Sequence, residues 1–211
     1  MGDLACAGFL WKKSECPQPK TKKKPGIKKE PANVDVVAGA MLFLILVLTI
    51  FFGFRMTQYM ITAAGVEDAL AASNLASAVI DLEEYGKSHE IFIEDVDKSF
   101  QIFRESLMCN LKLDENLNTT NKNFLTGQVL IKEYRIYNVR NGFVEIWILN
   151  GLGETISYTL GKVGEITTPD EICVESTTIY SKIAYQVEGL AGQVLAGEKE
   201  KSIDIVRCDS E

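Results

Sequence analysis

Histidine is almost missing from this chain, which has only His89 among its 211 residues. Zinc sites and Ser-His-Asp triads depend on histidine, so its scarcity removes most metal and triad chemistries. His89 follows Gly86 in a turn-like stretch, and we expect it to be solvent-exposed rather than catalytic. The chain also has no Gly-x-Ser-x-Gly, Walker-type or His-Glu-x-x-His pattern. These absences predict a protein that is not an enzyme, with no cofactor and no small-molecule substrate.

Acidic residues do cluster, at Glu83-Glu84 and at Glu94-Asp95-Val96-Asp97. Their spacing does not match the ligand positions of an EF-hand calcium loop. We interpret both clusters as solvated helix faces, and we predict no metal site.

Charge is absent from the nineteen residues Val36 to Phe54, VVAGAMLFLILVLTIFFGF. A helix rises about 1.5 Å per residue, so this run is about as long as the hydrocarbon core of a bilayer is thick. Helices in water seldom stay apolar on every side for that length, because one face must meet solvent. The run predicts a transmembrane helix over residues 34–55.

Basic residues lie almost entirely on one side of this run. Eight lysines precede it, whereas only Arg55 follows it closely. The positive-inside rule then places residues 1–33 in the cytoplasm and residues 56–211 outside the cell membrane. A cleaved signal peptide has the same order of basic and then apolar residues. The length of the basic segment and the position of Arg55 favour a retained, single-pass anchor.

The two sides of the predicted membrane differ in charge. Residues 1–33 carry the eight lysines against Asp3, Glu15 and Glu30, whereas the rest carries fourteen basic and twenty-six acidic residues. The acidic exterior argues against a nucleic-acid partner, and the basic segment fits anionic inner-leaflet lipid. Four prolines among its lysines predict a disordered cytoplasmic tail.

Good helix formers continue after the apolar run, without proline, from Arg55 to Glu84. Within this stretch Ala69, Ala72, Ala76 and Ser77 form a stripe of small residues that would let another helix or a sheet approach closely, and we expect this Ala-rich face to pack on the sheet. Gly86 is the expected stop of this long helix. A second, amphipathic helix is predicted from apolar residues at helical spacing: Val96, Phe100, Phe103, Leu107 and Leu111.

The pattern becomes strand-like from Gln128 onward. Asn141-Gly142 lies between two β-rich runs, which is a strong hairpin signal. Three further strands are predicted in ETISYTL, CVESTTIYSKIAYQVEG and KSIDIVRC. Because these strands have no helices between them, we expect an antiparallel sheet of about five strands. The predicted fold class is therefore α+β, with a long N-terminal helix, a second helix and then the sheet.

Five cysteines are divided between the two sides of the predicted membrane. Cys6 and Cys16 lie in the tail, and Cys109, Cys173 and Cys208 lie in the exterior domain. A Cys173–Cys208 disulfide is one interpretation of the exterior set. The alternative is that all three are small buried residues.

Several of these features together resemble the TadE-like minor pilins, or pseudopilins, of tight-adherence pilus systems in Gram-positive bacteria. The resemblance rests on the Lys-rich tail, on Val34-Asp35-Val36-Val37 and on VEDALAASNLASAVIDLEEYG. It also extends to the C-terminal STTIYSKIAYQVEG and KSIDIVR. It implies a pilin-like fold, in which the outer half of a long helix packs on an antiparallel sheet. It also implies partners among other pilin or pilus-assembly subunits.

Prepilin peptidases cut after a glycine and leave glutamate at the fifth position of the mature chain, and this sequence departs from that pattern. A cut after Gly26 would place Pro31 there, and a cut after Gly39 would place Leu44 there. This departure favours a membrane-retained assembly factor over a shaft subunit.

Asp35 is the acid next to the apolar run, and the resemblance implies that it pairs with a basic group of a neighbouring subunit. The alternative is a headgroup-level charge at a helix N-terminus. The predicted assembly contacts are therefore Asp35, Ala69, Ala72 and Ala76. A single-pass, extracytoplasmic binding or sensing module is the alternative function.

Overall fold

A computed structural model describes residues 32–120, 125–189 and 192–206. The elements in chain order are α1 Ala32–Ser77, α2 Leu82–Ser88, α3 Val96–Leu111, β1 Leu130–Arg140, β2 Phe143–Leu149, β3 Thr155–Lys162, β4 Thr178–Glu188 and β5 Val194–Asp204. The chain divides into two units, residues 1–46 and residues 47–211. The described part of the first unit is helical and its side chains from Val34 onward are exposed. The predicted disordered tail lies outside the described residues.

Helix α1 ends at Ser77, so the prediction of a helix that continues to Glu84 is wrong. After Ser77 the chain leaves the helix, and Ala78 and Ile80 pack against the core. A separate helix, α2, then starts, with the Asp81 carboxylate accepting from the Glu83 N–H over 2.8 Å. Gly86 lies inside α2 and does not stop α1. Core packing of an apolar segment has outweighed the helix propensity of this stretch.

Helix α3 has the bounds that its apolar spacing predicts. Its N-cap is Asp95, whose carboxylate accepts from the Lys98 N–H over 2.8 Å, and this satisfies one of the free amides of the first turn. Val96, Phe100, Phe103 and Leu107 are buried along one face. The second predicted helix is therefore confirmed.

The five strands form one antiparallel sheet in the order β3-β2-β1-β4-β5. Asn141 and Gly142 join β1 to β2 with positive φ angles of 49° and 78°, as the hairpin prediction requires. The last strand begins at Val194, seven residues before its predicted start at Lys201. The α+β class and the antiparallel sheet are confirmed.

The core lies mainly on one face of the sheet. There, side chains of α1 and α3 pack against the middle strands, including Leu70, Phe103, Tyr134, Ile136 and Ile183. A smaller cluster comprises Tyr137, Val144, Ile146, Val174 and Tyr180. The end of α1 is thus part of the core of the second unit.

Candidate functional site on helix α1

A buried network of hydroxyl groups joins the end of α1 to α3 and β1. The Tyr134 hydroxyl lies 2.8 Å from Oγ of Ser77 and 2.8 Å from Oγ of Ser99. Ser99 Oγ also donates to the Ser77 carbonyl over 2.7 Å. Burial raises the pKa of Tyr134 to about 12, so the phenol stays protonated and remains a donor. Three elements therefore meet through one polar cluster.

Asn74 makes a second polar connection, from α1 to β4 and β5. Its amide nitrogen donates to the Lys201 carbonyl over 2.8 Å, and its amide oxygen accepts from Ser181 Oγ over 2.6 Å. Hydrogen bonds require a particular geometry, whereas apolar contacts do not. These two bonds therefore fix the rotation of α1 about its axis more closely than apolar contacts alone would.

Glu67 forms a third connection, to the edge strand β5. Its carboxylate oxygens lie 3.0 Å from Nζ of Lys199 and 3.0 Å from Nζ of Lys201. Hydrogen bonds from Lys201 and Lys199, together with their charge, hold the pKa of Glu67 below its usual range. The side chains are about one-third exposed, so solvent screens the pair and its stabilisation is modest.

The predicted contact residues of α1 separate into two groups. Ala69 is buried, at 7% exposure, whereas Ala72 and Ala76 are exposed. The expectation that Ala76 packs on the sheet is therefore wrong, and the buried positions of this part of α1 carry Ser73, Asn74 and Ser77 instead. Ala72 and Ala76 lie with Leu75, which is 61% exposed, on an outward face of α1. We call Ala72, Leu75 and Ala76 the outer face.

Asp35 lies in the first turn of α1 and its side chain is exposed. The helix from Val34 to Ser77 is long and apolar enough to cross a membrane. Its most apolar window has no residue buried inside the protein. These properties are compatible with a single-pass membrane anchor.

Three other predictions concern single residues. His89 is exposed, as predicted. Cys109 and Cys173 are also exposed, so the interpretation of them as buried residues is wrong. The Cys173–Cys208 disulfide stays a prediction, because Cys208 lies outside the described residues. Among the described residues, no group of three or more His, Cys, Asp or Glu side chains is placed to hold a metal ion.

The two edges of the sheet differ in charge. Strand β5 carries alternating acidic and basic side chains, and Lys182 of β4 lies 3.2 Å from Glu198. Strand β3 has no charged residue from Thr155 to Gly161, and its Ile156, Tyr158 and Leu160 are 47–66% exposed. Charges protect an edge from pairing with another chain, so β5 is protected and β3 is open.

Sequence reasoning missed Glu67 and Asn74, which join α1 to the sheet, whereas Ser77 belongs to the predicted stripe of small residues. The available signal was the helical spacing of Glu67, Leu70 and Asn74, which share one face. In comparisons with protein-family models, with curated proteins and with solved structures, no match to this chain was found.

Proposed function

We propose that this protein is a single-pass, membrane-anchored component of a pilus-like or secretion assembly. In this proposal it resembles a minor pilin or pseudopilin, with residues 1–33 in the cytoplasm and residues 56–211 outside. It acts without catalysis, through contacts of its membrane helix and of its exterior domain with other subunits.

The observation that carries the proposal is the composition of α1. The one helix includes the uncharged run Val36 to Phe54 and the residues that tie it to the sheet, Glu67, Asn74 and Ser77. The side chains of the run are exposed, and their burial in lipid or against other apolar helices is favourable by about 25 cal/mol per Å². In this proposal the first part of α1 lies in the membrane, and the second part packs in the exterior domain.

The outer face supports the assembly role. Ala72 and Ala76 have small side chains, which let a neighbouring helix approach the backbone closely, and Leu75 adds apolar contact area. The polar contacts of Asn74 and Ser77 hold the opposite side of the same helix on the sheet. A subunit that docks on the outer face would thus contact a helix of fixed orientation.

Site-specific photo-crosslinking in cells that make the assembly tests this role. A photoreactive residue at Ala76 or Ala72 is expected to capture other membrane subunits that have their own apolar helices. The matched control places the same residue at Gln101, an exposed position of α3, where we expect no such product. Equal crosslinking from Ala76 and Gln101 would argue against a specific face.

Cysteine labelling of intact cells tests the topology separately. Cys109 and Cys173 are exposed, so a membrane-impermeant maleimide should modify them, while Cys6 and Cys16 should react only after permeabilisation. The reverse pattern would show that the exterior domain faces the cytoplasm and would overturn the proposed localisation.

One observation favours the alternative function, a membrane-anchored binding module. The open β3 edge, with exposed Ile156, Tyr158 and Leu160, fits an extended segment of another protein added as a sixth strand. Tyr158→Lys would place a charge in the middle of that edge. Lost partner binding in this variant, with normal crosslinking from Ala76, would favour the binding module over assembly through α1.

A further inference from the structure

The outer face continues along α1 towards the apolar run, on the side away from the buried residues of this helix. Its exposed members lie three or four residues apart, which places them on one face: Ile61, Ala64, Asp68, Ala72 and Leu75. Ile61 and Leu75 are 64% and 61% exposed, and the other three side chains are also exposed. We call these five residues the extended outer face.

The spacing of the extended outer face is typical of a surface on which two helices pack. Steps of three and four residues return a side chain to the same face at every turn, as the inner positions of a coiled coil do. Four of the five side chains are apolar, and the two alanines leave room for larger side chains of a second helix. A strand repeats every two residues and cannot follow this spacing. The extended outer face therefore fits another helix.

Asp68 is the one charged member of the extended outer face and lies at its centre. Among the described residues its carboxylate has no ion pair or hydrogen bond, whereas the adjacent Glu67 binds Lys199 and Lys201. A docked helix would remove water from this carboxylate, which is unfavourable unless the helix supplies a positive charge. A lysine or arginine opposite Asp68 meets this requirement and also fixes the register of the two helices.

A second copy of this chain does not offer such a group on its own α1. If two copies cross one membrane in the same direction and pair in register, their Asp68 carboxylates face each other and repel. The one basic residue of α1 is Arg55. It precedes Asp68 by about 3.6 turns, so the two side chains project from different faces of the helix. Charge therefore favours a different subunit as the occupant.

We infer that the extended outer face binds a helix of a different membrane subunit, and that this helix has a lysine or arginine opposite Asp68. Apolar side chains of the partner pack on Ile61 and Leu75, and the ion pair lies between these two contacts. Asp68 is about 21 Å beyond Phe54 along α1, so the partner helix also continues well beyond the hydrocarbon core. This inference rests on the proposed function, and it assigns the specificity of that contact to one carboxylate.

Photo-crosslinking from Ala64, one turn before Asp68, tests the inference in cells that make the assembly. Tandem mass spectrometry of the product should show a peptide of a different subunit, with a lysine or arginine within about four residues of the crosslinked position. Asp68→Lys should lower the yield of this product about tenfold or more, because like charges then face each other. Exchange of the partner's basic residue for aspartate should also lower the yield, and combination with Asp68→Lys should restore it.

Glu67→Gln is the matched control, because it removes an equal charge from the adjacent residue, which contacts β5. Its crosslinking yield should equal that of the unmodified protein. An unchanged yield from a folded Asp68→Lys protein would overturn the inference, and so would a product that joins two copies of this chain or a partner peptide without a basic residue. In the first and third cases the product still contains another membrane subunit, so the proposed assembly role stands. The absence of any product with a membrane subunit, from Ala64 and from Ala76 alike, would contradict the proposed function as well.

Discussion

Asn74 of α1 accepts a hydrogen bond of 2.6 Å from Ser181 of β4, although the two residues are 107 positions apart in the chain. Both side chains are fully buried, and the Asn74 amide also donates to the Lys201 carbonyl of β5. One side chain therefore joins the helix to two neighbouring strands. This contact makes the end of α1 an integral part of the second unit.

Asn74→Ala tests the importance of that contact. The variant leaves Ser181 Oγ and the Lys201 carbonyl without their partner, and we expect it to lower the free energy of unfolding by about 2 kcal/mol. Asn110→Ala is the control, because this exposed α3 residue has only longer bonds of 3.3 Å. Urea unfolding of both variants in detergent, followed by tryptophan fluorescence, makes the comparison. Equal losses would show that Asn74 has no special role.

Glu67 should make the stability depend on pH. Its pKa is lowered in the folded protein, so its contribution is complete above the usual glutamate pKa and is lost as the pH falls through the lowered value. Because the pair is partly exposed, we expect Glu67→Gln to cost no more than about 1 kcal/mol at pH 7. The difference from the unmodified protein should shrink towards zero as the pH falls through the lowered pKa of Glu67. A difference that does not change with pH would contradict this account.

Ala69 and Ala76 form a matched pair on one helix. Ala69→Arg would place a charge where the side chain is 7% exposed, and it should destabilise the domain by about 3 kcal/mol. Ala76→Arg should leave the melting temperature unchanged, because this residue is exposed. It should nevertheless reduce recovery of partner subunits in pull-down experiments. Normal partner recovery from Ala76→Arg would remove the outer face from the assembly proposal.

Asp35→Asn separates the two interpretations of that residue. The substitution keeps the shape of the side chain and removes its charge, so insertion and the melting temperature should not change. If the carboxylate pairs with a basic group of a neighbouring subunit, co-purification of that subunit should fall. Co-purification at the level of the unmodified protein would identify Asp35 as a helix-end charge only.

Local patterns in the sequence were enough for much of the fold. The uncharged run predicted an apolar helix, the spacing from Val96 to Leu111 predicted α3, and Asn141-Gly142 predicted the β1–β2 hairpin. Each of these signals depends on residues close together in the chain, either through a helical or strand period or through the positive φ angles of a tight turn. They therefore do not require knowledge of distant partners.

The rest was decided by contacts between distant residues. The stripe of small residues was expected to be the packed side of α1, but of its members the structure buries only Ala69 and Ser77 and leaves Ala72 and Ala76 exposed. It also buries Asn74, whose partners lie on β4 and β5. A hydrophobicity pattern places an asparagine on the solvent side, because a polar side chain is stable inside a protein only where a donor or acceptor can pair with it. The end of α1 at Ser77 and the open β3 edge depend in the same way on contacts between distant parts of the chain. The sequence by itself thus determined the apolar helix, α3 and the strands, and only the tertiary structure decided where α1 ends and which faces of these elements remain available for a membrane or a partner.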